Sequence, residues 1–262
     1  MKTTKWGSIL LAGMLGLALP GCGNDDDNEV SVSPDGKRLV SKITCTDNSG
    51  GKDNDSYTLS FGYTNDGVVN LVKMENPEGD WDSYAYTEAN GRLDIIETYR
   101  YTYEDEVESG TEHIRCTLNG DDYVTKLDGE DEGYTFVYTY EYNAAGYCTA
   151  YSYNGKQQRT YTYQDGNVTA GGDSSTEKYT YSPVENKANL DFLHLFAQTY
   201  AEDDYFLALT GRLGKPAKNL LASMERYGNK YAHKLEYEFD KDGYVTAITD
   251  SGDKTVYRIE YK

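Results

Sequence analysis

Tyr134-Thr135-Phe136-Val137-Tyr138-Thr139-Tyr140-Glu141-Tyr142 runs into Asn143-Ala144-Ala145-Gly146, and Tyr147-Cys148-Thr149-Ala150-Tyr151-Ser152-Tyr153 leads away. A second run, Arg159-Thr160-Tyr161-Thr162-Tyr163, meets Asp165-Gly166 and continues as Asn167-Val168-Thr169-Ala170. Aromatic rings at every second position mark strands, because successive side chains point to opposite faces. Asn, Asp and Gly then supply the positive φ of a tight connection. The unit is a β-hairpin, and the chain repeats it.

Working outward, Leu39, Ile43 and Cys45 share a parity and begin the series. Tyr57 to Tyr63 meets Asn65-Asp66-Gly67, and Tyr84-Ala85-Tyr86 meets Asn90-Gly91. Tyr99 to Tyr103 ends in an acidic turn from Glu104 to Gly110, and Leu235 to Phe239 meets Asp242-Gly243. Tyr257 to Tyr261 closes the chain. Two positions after the turn glycines stand Val69, Leu93, Cys148, Val168 and Val245; four positions after stand Leu71, Ile95, Ala150, Ala170 and Ala247. Both sets are expected to pack inward. Units that cannot bury their own faces stack, so the fold class is mainly β. The expected architecture is an antiparallel β-meander of hairpin repeats forming a barrel or half-barrel over residues 38–262.

One segment breaks the pattern. Leu190, Leu193, Ala197 and Tyr200 recur at helical spacing, with Asn189 as a cap. A second helix starts at Asp203 or Asp204, carries Tyr205 to Leu209 and stops by Gly214. This apolar insertion at about 189–213 is expected to fill or cap the barrel. Residues 215–227 read equally as helix or as loop and strand.

The first 21 residues form a targeting segment: Lys2 and Lys5, then an apolar stretch from Ile9 to Leu19 too short to span a bilayer. Its end, Leu19-Pro20-Gly21-Cys22, resembles the lipobox of bacterial lipoproteins, which implies cleavage before Cys22 and its lipidation. Residues 22–37 carry Asp25, Asp26, Asp27 and Glu29 with little to bury, and read as a disordered acidic tether. Such a run after the cysteine resembles the surface-export signal of Bacteroidetes lipoproteins. The expected location is the outer membrane, lipid-anchored and facing outward.

The 27 tyrosines are roughly three times ordinary usage, and 44 acidic against 25 basic residues give a formal charge of −19. That balance excludes nucleic acid as a partner. The chain has no nucleophile elbow, zinc-protease helix, phosphate loop or paired-cysteine metal site, and no cofactor motif. His113, His194 and His233 lie in different elements without ligand spacing. The reading is therefore of a non-catalytic protein. Asp121-Asp122 and the run from Asp128 to Glu132 have the donors for calcium without a calcium-loop signature, and read first as solvated acidic turns. Beyond Cys22 three cysteines remain, Cys45, Cys116 and Cys148; an odd number leaves at least one without an intramolecular partner, and no essential disulfide is expected.

Three motifs, Asn189-Leu190-Asp191, Gly214 to Leu220 and Tyr237 to Val245, resemble a domain family of secreted Bacteroidales lipoproteins described as having a porin-like β-fold. Tyr142 to Tyr147 is similar to the tyrosine–aspartate repeats of bacterial surface proteins. The first resemblance implies a curved meander or barrel and carries no activity. Ligand capture is sought at Trp81, out of parity with Tyr84 and Tyr86 and flanked by Asp80 and Asp82. An outward indole with Asp80, Asp82 and Tyr84 beside it would make a platform for polysaccharide, although a partly buried strand residue is the plainer reading. The function expected is binding of glycan or protein ligands outside the cell, with carriage of a lipid or small molecule in the barrel interior as the alternative.

Overall fold

The computed structural model describes residues 32, 36–48, 50, 56–103, 106–131, 133–172, 177–188, 190–197, 205–226 and 231–262. Met1 to Val30, and with them Cys22 and most of the acidic tether, lie outside the described residues, as do Asn189, Tyr200, Asp203 and Asp204.

Sixteen antiparallel strands follow the chain in order around one closed barrel. They are β1 (Val40–Asp47), β2 (Tyr57–Tyr63), β3 (Val69–Glu75), β4 (Trp81–Ala89), β5 (Arg92–Tyr103), β6 (Glu106–Leu118), β7 (Val124–Asp131) and β8 (Tyr134–Tyr142). Then come β9 (Cys148–Tyr153), β10 (Lys156–Gln164), β11 (Asn167–Gly172), β12 (Glu177–Glu185), β13 (Asn219–Arg226), β14 (Tyr231–Phe239), β15 (Val245–Asp250) and β16 (Thr255–Tyr261). The last strand closes on the first, Ile259 opposite Ile43. The ambiguous 215–227 segment thus contains a strand.

Four connections at the end where the chain enters share one design. The residue opening each turn, Thr64, Asn119, Asn143 or Asp240, donates its N–H to the carbonyl four residues on. Its side-chain oxygen accepts the N–H of that same later residue: Val68, Tyr123, Tyr147 or Tyr244. A positive φ completes the turn at Gly67, Gly146 and Gly243, and at Asp122 in the second. Each connection shifts the register by one residue, a β-bulge.

The bulge changes which residues face inward. Val69, Leu93, Cys148, Val168 and Val245 pack against the core as expected. Leu71, Ala150, Ala170 and Ala247 do not follow them. They stand opposite Gly62, Glu141, Thr162 and Glu238, on the outer face. Leu71 is 38% exposed, while the alanines are small enough to lie beneath longer neighbours. Ile95 stays inward because its Asn90-Gly91 hairpin has no bulge.

A bulge leaves a backbone carbonyl without a ladder partner, and the tyrosines supply the donor. The hydroxyls of Tyr63, Tyr142, Tyr163, Tyr237 and Tyr261 donate to the carbonyls of Val40, Val124, Cys148, Leu221 and Val245, at 2.5 to 2.8 Å. Each acceptor lies at a register shift. Tyrosine serves here as an apolar ring with a fixed donor at its tip.

The insertion between β12 and β13 enters the lumen as α1 (Phe192–Ala197) and α2 (Tyr205–Leu209). Asp191 caps α1: its carboxylate accepts the His194 N–H at 3.1 Å. Phe206, Leu207 and Leu209 are buried, with Leu207 1% exposed. These side chains pack into the core that the strands enclose.

Much of the outer wall carries polar and charged residues, although Leu71 and Ile96 also face outward. Glu260, Lys42, Ser60, Lys73, Ser83, Thr98 and Thr111 form one continuous cross-strand row from β16 through β6. The inward row beside it reads Ile259, Ile43, Leu59 and Met74. Along these stretches apolar residues face in and charged ones face out, the reverse of a barrel that sits in hydrocarbon.

Candidate functional site

The returning chain after α2 crosses the entry end of the barrel as a strap. Arg212 O accepts Val124 N–H at 2.8 Å, Lys215 N–H donates to Gly146 O at 2.9 Å, and Lys218 N–H to Gly166 O at 3.0 Å. Gly214 makes this possible: its φ is +95°, and a Cβ would stand 2.8 Å from Gly146 O.

Beside the strap opens a cleft of about 600 Å³. Its floor is Leu39, Val40, Phe61, Val69, Leu190 and Leu209. Around the rim stand Asp66, Glu88, Asp121 and Asp122 with two guanidiniums, Arg38 and Arg212. Both cations are engaged. Arg212 meets Glu88 at 2.7 Å and donates to Asp122 O at 3.2 Å. Arg38 meets Asp240 at 2.6 Å, with its guanidinium over the rings of Tyr244 and Tyr261. The Thr64 hydroxyl bonded to Asp66 holds that carboxyl below its ordinary value, and the N–H of Tyr244, with Arg38 beside it, does the same for Asp240. The rim is therefore a ring of carboxylates and planar donors around an apolar floor. It favours a neutral, hydroxyl-rich or cationic group and repels anions.

The structure separates the residues predicted around Trp81. Trp81 lies half-buried on the outer wall between Glu75 and Arg100, with Lys73 Nζ 5.5 Å from its ring centroid. Asp80 is tied down locally, accepting the Thr102 N–H at 2.8 Å and the Asn76 side-chain amide at 3.2 Å. Asp82 and Tyr84 have the opposite parity and are buried in the barrel. Asp82 accepts the Tyr101 hydroxyl. Tyr84 stacks on Phe206 of α2 at 3.8 Å and donates to Glu97 at 2.8 Å. Burial pushes the Asp82 carboxyl up and the Tyr84 hydroxyl far up. One alternation thus splits the four: the indole faces water, and two of its expected companions hold the plug side of the wall.

The acidic runs also separate. Asp121 and Asp122 reach the cleft, whereas Asp128 pairs with Lys126 at 2.6 Å on the outer wall. The cleft residues come from hairpin turns, the strap and the chain entry, and no local motif joins them. Cys45, Cys116 and Cys148 are buried free thiols, and burial pushes Cys45 up to about 11.

The barrel is similar in fold to solved porin-like proteins of Bacteroides. One from Bacteroides uniformis superposes with a TM-score of 0.60 at 16% identity, covering 86% of this chain and 99% of that one. A second, from Bacteroides vulgatus, gives 0.45 at 12% identity over 86% and 98%. No family model matches the sequence, and the comparison with curated proteins finds no match. At such identity the likeness is one of fold.

Proposed function

We propose that this protein is a non-catalytic, lipid-anchored barrel of the outer cell surface that captures a neutral glycan segment in the cleft at its plugged mouth. The cleft carries the reading: an apolar floor suits the apolar face of a sugar ring, and the carboxylates and guanidiniums above it suit its hydroxyls. The polar outer wall supports attachment by a lipid rather than by the strands. Each Lys or Arg at mid-membrane depth would cost about 2–4 kcal/mol, and β9, β11 and β15 have six residues each, against the roughly 9–11 that a spanning strand needs. The anchor is the lipid on Cys22, and mass analysis of the membrane fraction with and without Cys22→Ser tests it.

Affinity electrophoresis of the full chain against neutral and acidic polysaccharides tests the cleft. Asp66→Ala with Asp121→Ala is expected to weaken neutral-glycan binding about tenfold, the value of one to two hydrogen bonds, and Trp81→Ala is expected to leave it unchanged. Loss of binding in Trp81→Ala alone would move the site to the outer wall. Binding of basic peptides without any glycan would replace the ligand class by protein.

A further inference from the structure

At the end of the barrel opposite the cleft, three residues distant in sequence converge. His233 is on β14, Asp250 ends β15, and Asp253 lies in the turn before β16. His233 Nδ1 is 2.7 Å from Asp250 Oδ2 and 3.7 Å from Asp253 Oδ2, and the three donor atoms lie within 4.8 Å of one another. We propose that this is a binding site for a divalent cation of the zinc class.

The geometry offers more than a simple histidine–carboxylate pair. One imidazole nitrogen carries at most one proton and satisfies one carboxylate, yet two carboxylates are directed at Nδ1. A shared cation serves all three donors at once. For bonds of about 2.0–2.1 Å, the edge of a tetrahedron is roughly 3.3 Å, and the two distances to Nδ1 fall on either side of that value. Two carboxylates with a neutral imidazole carry two negative charges, matching a divalent ion. An imidazole nitrogen among only three donors suits zinc or cobalt, not calcium, which takes six to eight oxygens.

The surroundings hold the donors in place. Asp250 is 2% exposed, and its second oxygen accepts the Gly252 N–H at 2.8 Å, which leaves Oδ2 directed at the shared point. Gly252 has no room for a side chain, since a Cβ would stand 2.7 Å from His233 Nδ1. The Asp253 side chain is 70% exposed, so the ion enters from water and keeps an open coordination position there. Binding would fasten β14 to the β15–β16 hairpin.

The test is calorimetric titration of the EDTA-treated full chain with Zn²⁺, together with the visible absorption of its Co²⁺ form. One ion per chain and a tetrahedral Co²⁺ spectrum are expected. His233→Gln and Asp253→Asn should each weaken binding at least about tenfold and abolish that spectrum. Asp253 is exposed, so its variant folds even if the His233 variant does not. His113→Ala, on the outer wall, should bind as the parent does. The proposal is overturned by absence of saturable binding in the parent, or by parental affinity and spectrum in Asp253→Asn.

Discussion

Tyrosine does two different jobs in the two halves of this barrel. Toward the mouth, Tyr63, Tyr142, Tyr163, Tyr237 and Tyr261 give their hydroxyls to backbone carbonyls freed by bulges. Toward the far end, Tyr84, Tyr101 and Tyr179 give theirs to the carboxylates of Glu97, Asp82 and Glu177. Glu177 is further held by Arg159 at 3.1 Å. A carbonyl is neutral, and leaving it unmet costs only its desolvation. A buried carboxylate is a charge, so its partners offset a larger penalty and its protonation depends on them. The mouth is accordingly a structural repeat, and the far end is an assembly of individually placed polar groups.

The strongest challenge strikes what both halves share, the plug. Leu207→Asp places an unpaired charge where 1% of the side chain is exposed, and is expected to cost about 3–5 kcal/mol, read from the urea midpoint. Parental stability would show that the wall stands without its filling, and the contrast between the ends would then lie in the strands alone.

The mouth is tested by Tyr142→Phe, which leaves the Val124 carbonyl without its 2.5 Å donor. A loss of about 1–2 kcal/mol is expected. Tyr134→Phe, at a residue 80% exposed, should change nothing. Equal effects would mean that the tyrosine hydroxyls at the bulges are incidental.

The smallest effect is expected at the far end, with the opposite sign. Burial raises the Asp82 carboxyl above its ordinary value of 3.8 and outweighs the Tyr101 hydrogen bond. The stability from that raised value is complete below pH 3.8 and is lost as pH rises through the folded value. Asp82→Asn should therefore raise Tm modestly at pH 7, with the gain vanishing as pH falls below 3.8. A lower Tm at pH 7 would show that Tyr101 holds the ionised form after all.

Period-two aromatics, turn glycines and a misfit apolar segment were enough to establish, from the sequence by itself, strands, hairpins and a curled meander, barrel or half-barrel, with a segment to fill or cap it; closure came from the structure. Those signals are local: alternation reports one wall face, and positive φ reports a turn. The bulges were also legible in principle, since Asn143 or Asp240 with glycine three residues later already specifies a turn that inserts one residue. Counting from the glycine without that insertion put Leu71, Ala150 and Ala247 on the wrong face, and a separate bulge between β10 and β11 did the same for Ala170. The tertiary structure alone decided the sites. Asp66, Glu88, Asp121 and Arg212 belong to separate hairpins and the strap, and His233, Asp250 and Asp253 to successive strands and a turn. Their convergence depends on barrel closure and register, which no spacing along the chain encodes. Trp81 and Tyr84 teach the same point in reverse: neighbours in sequence on a strand are held apart by the wall they build.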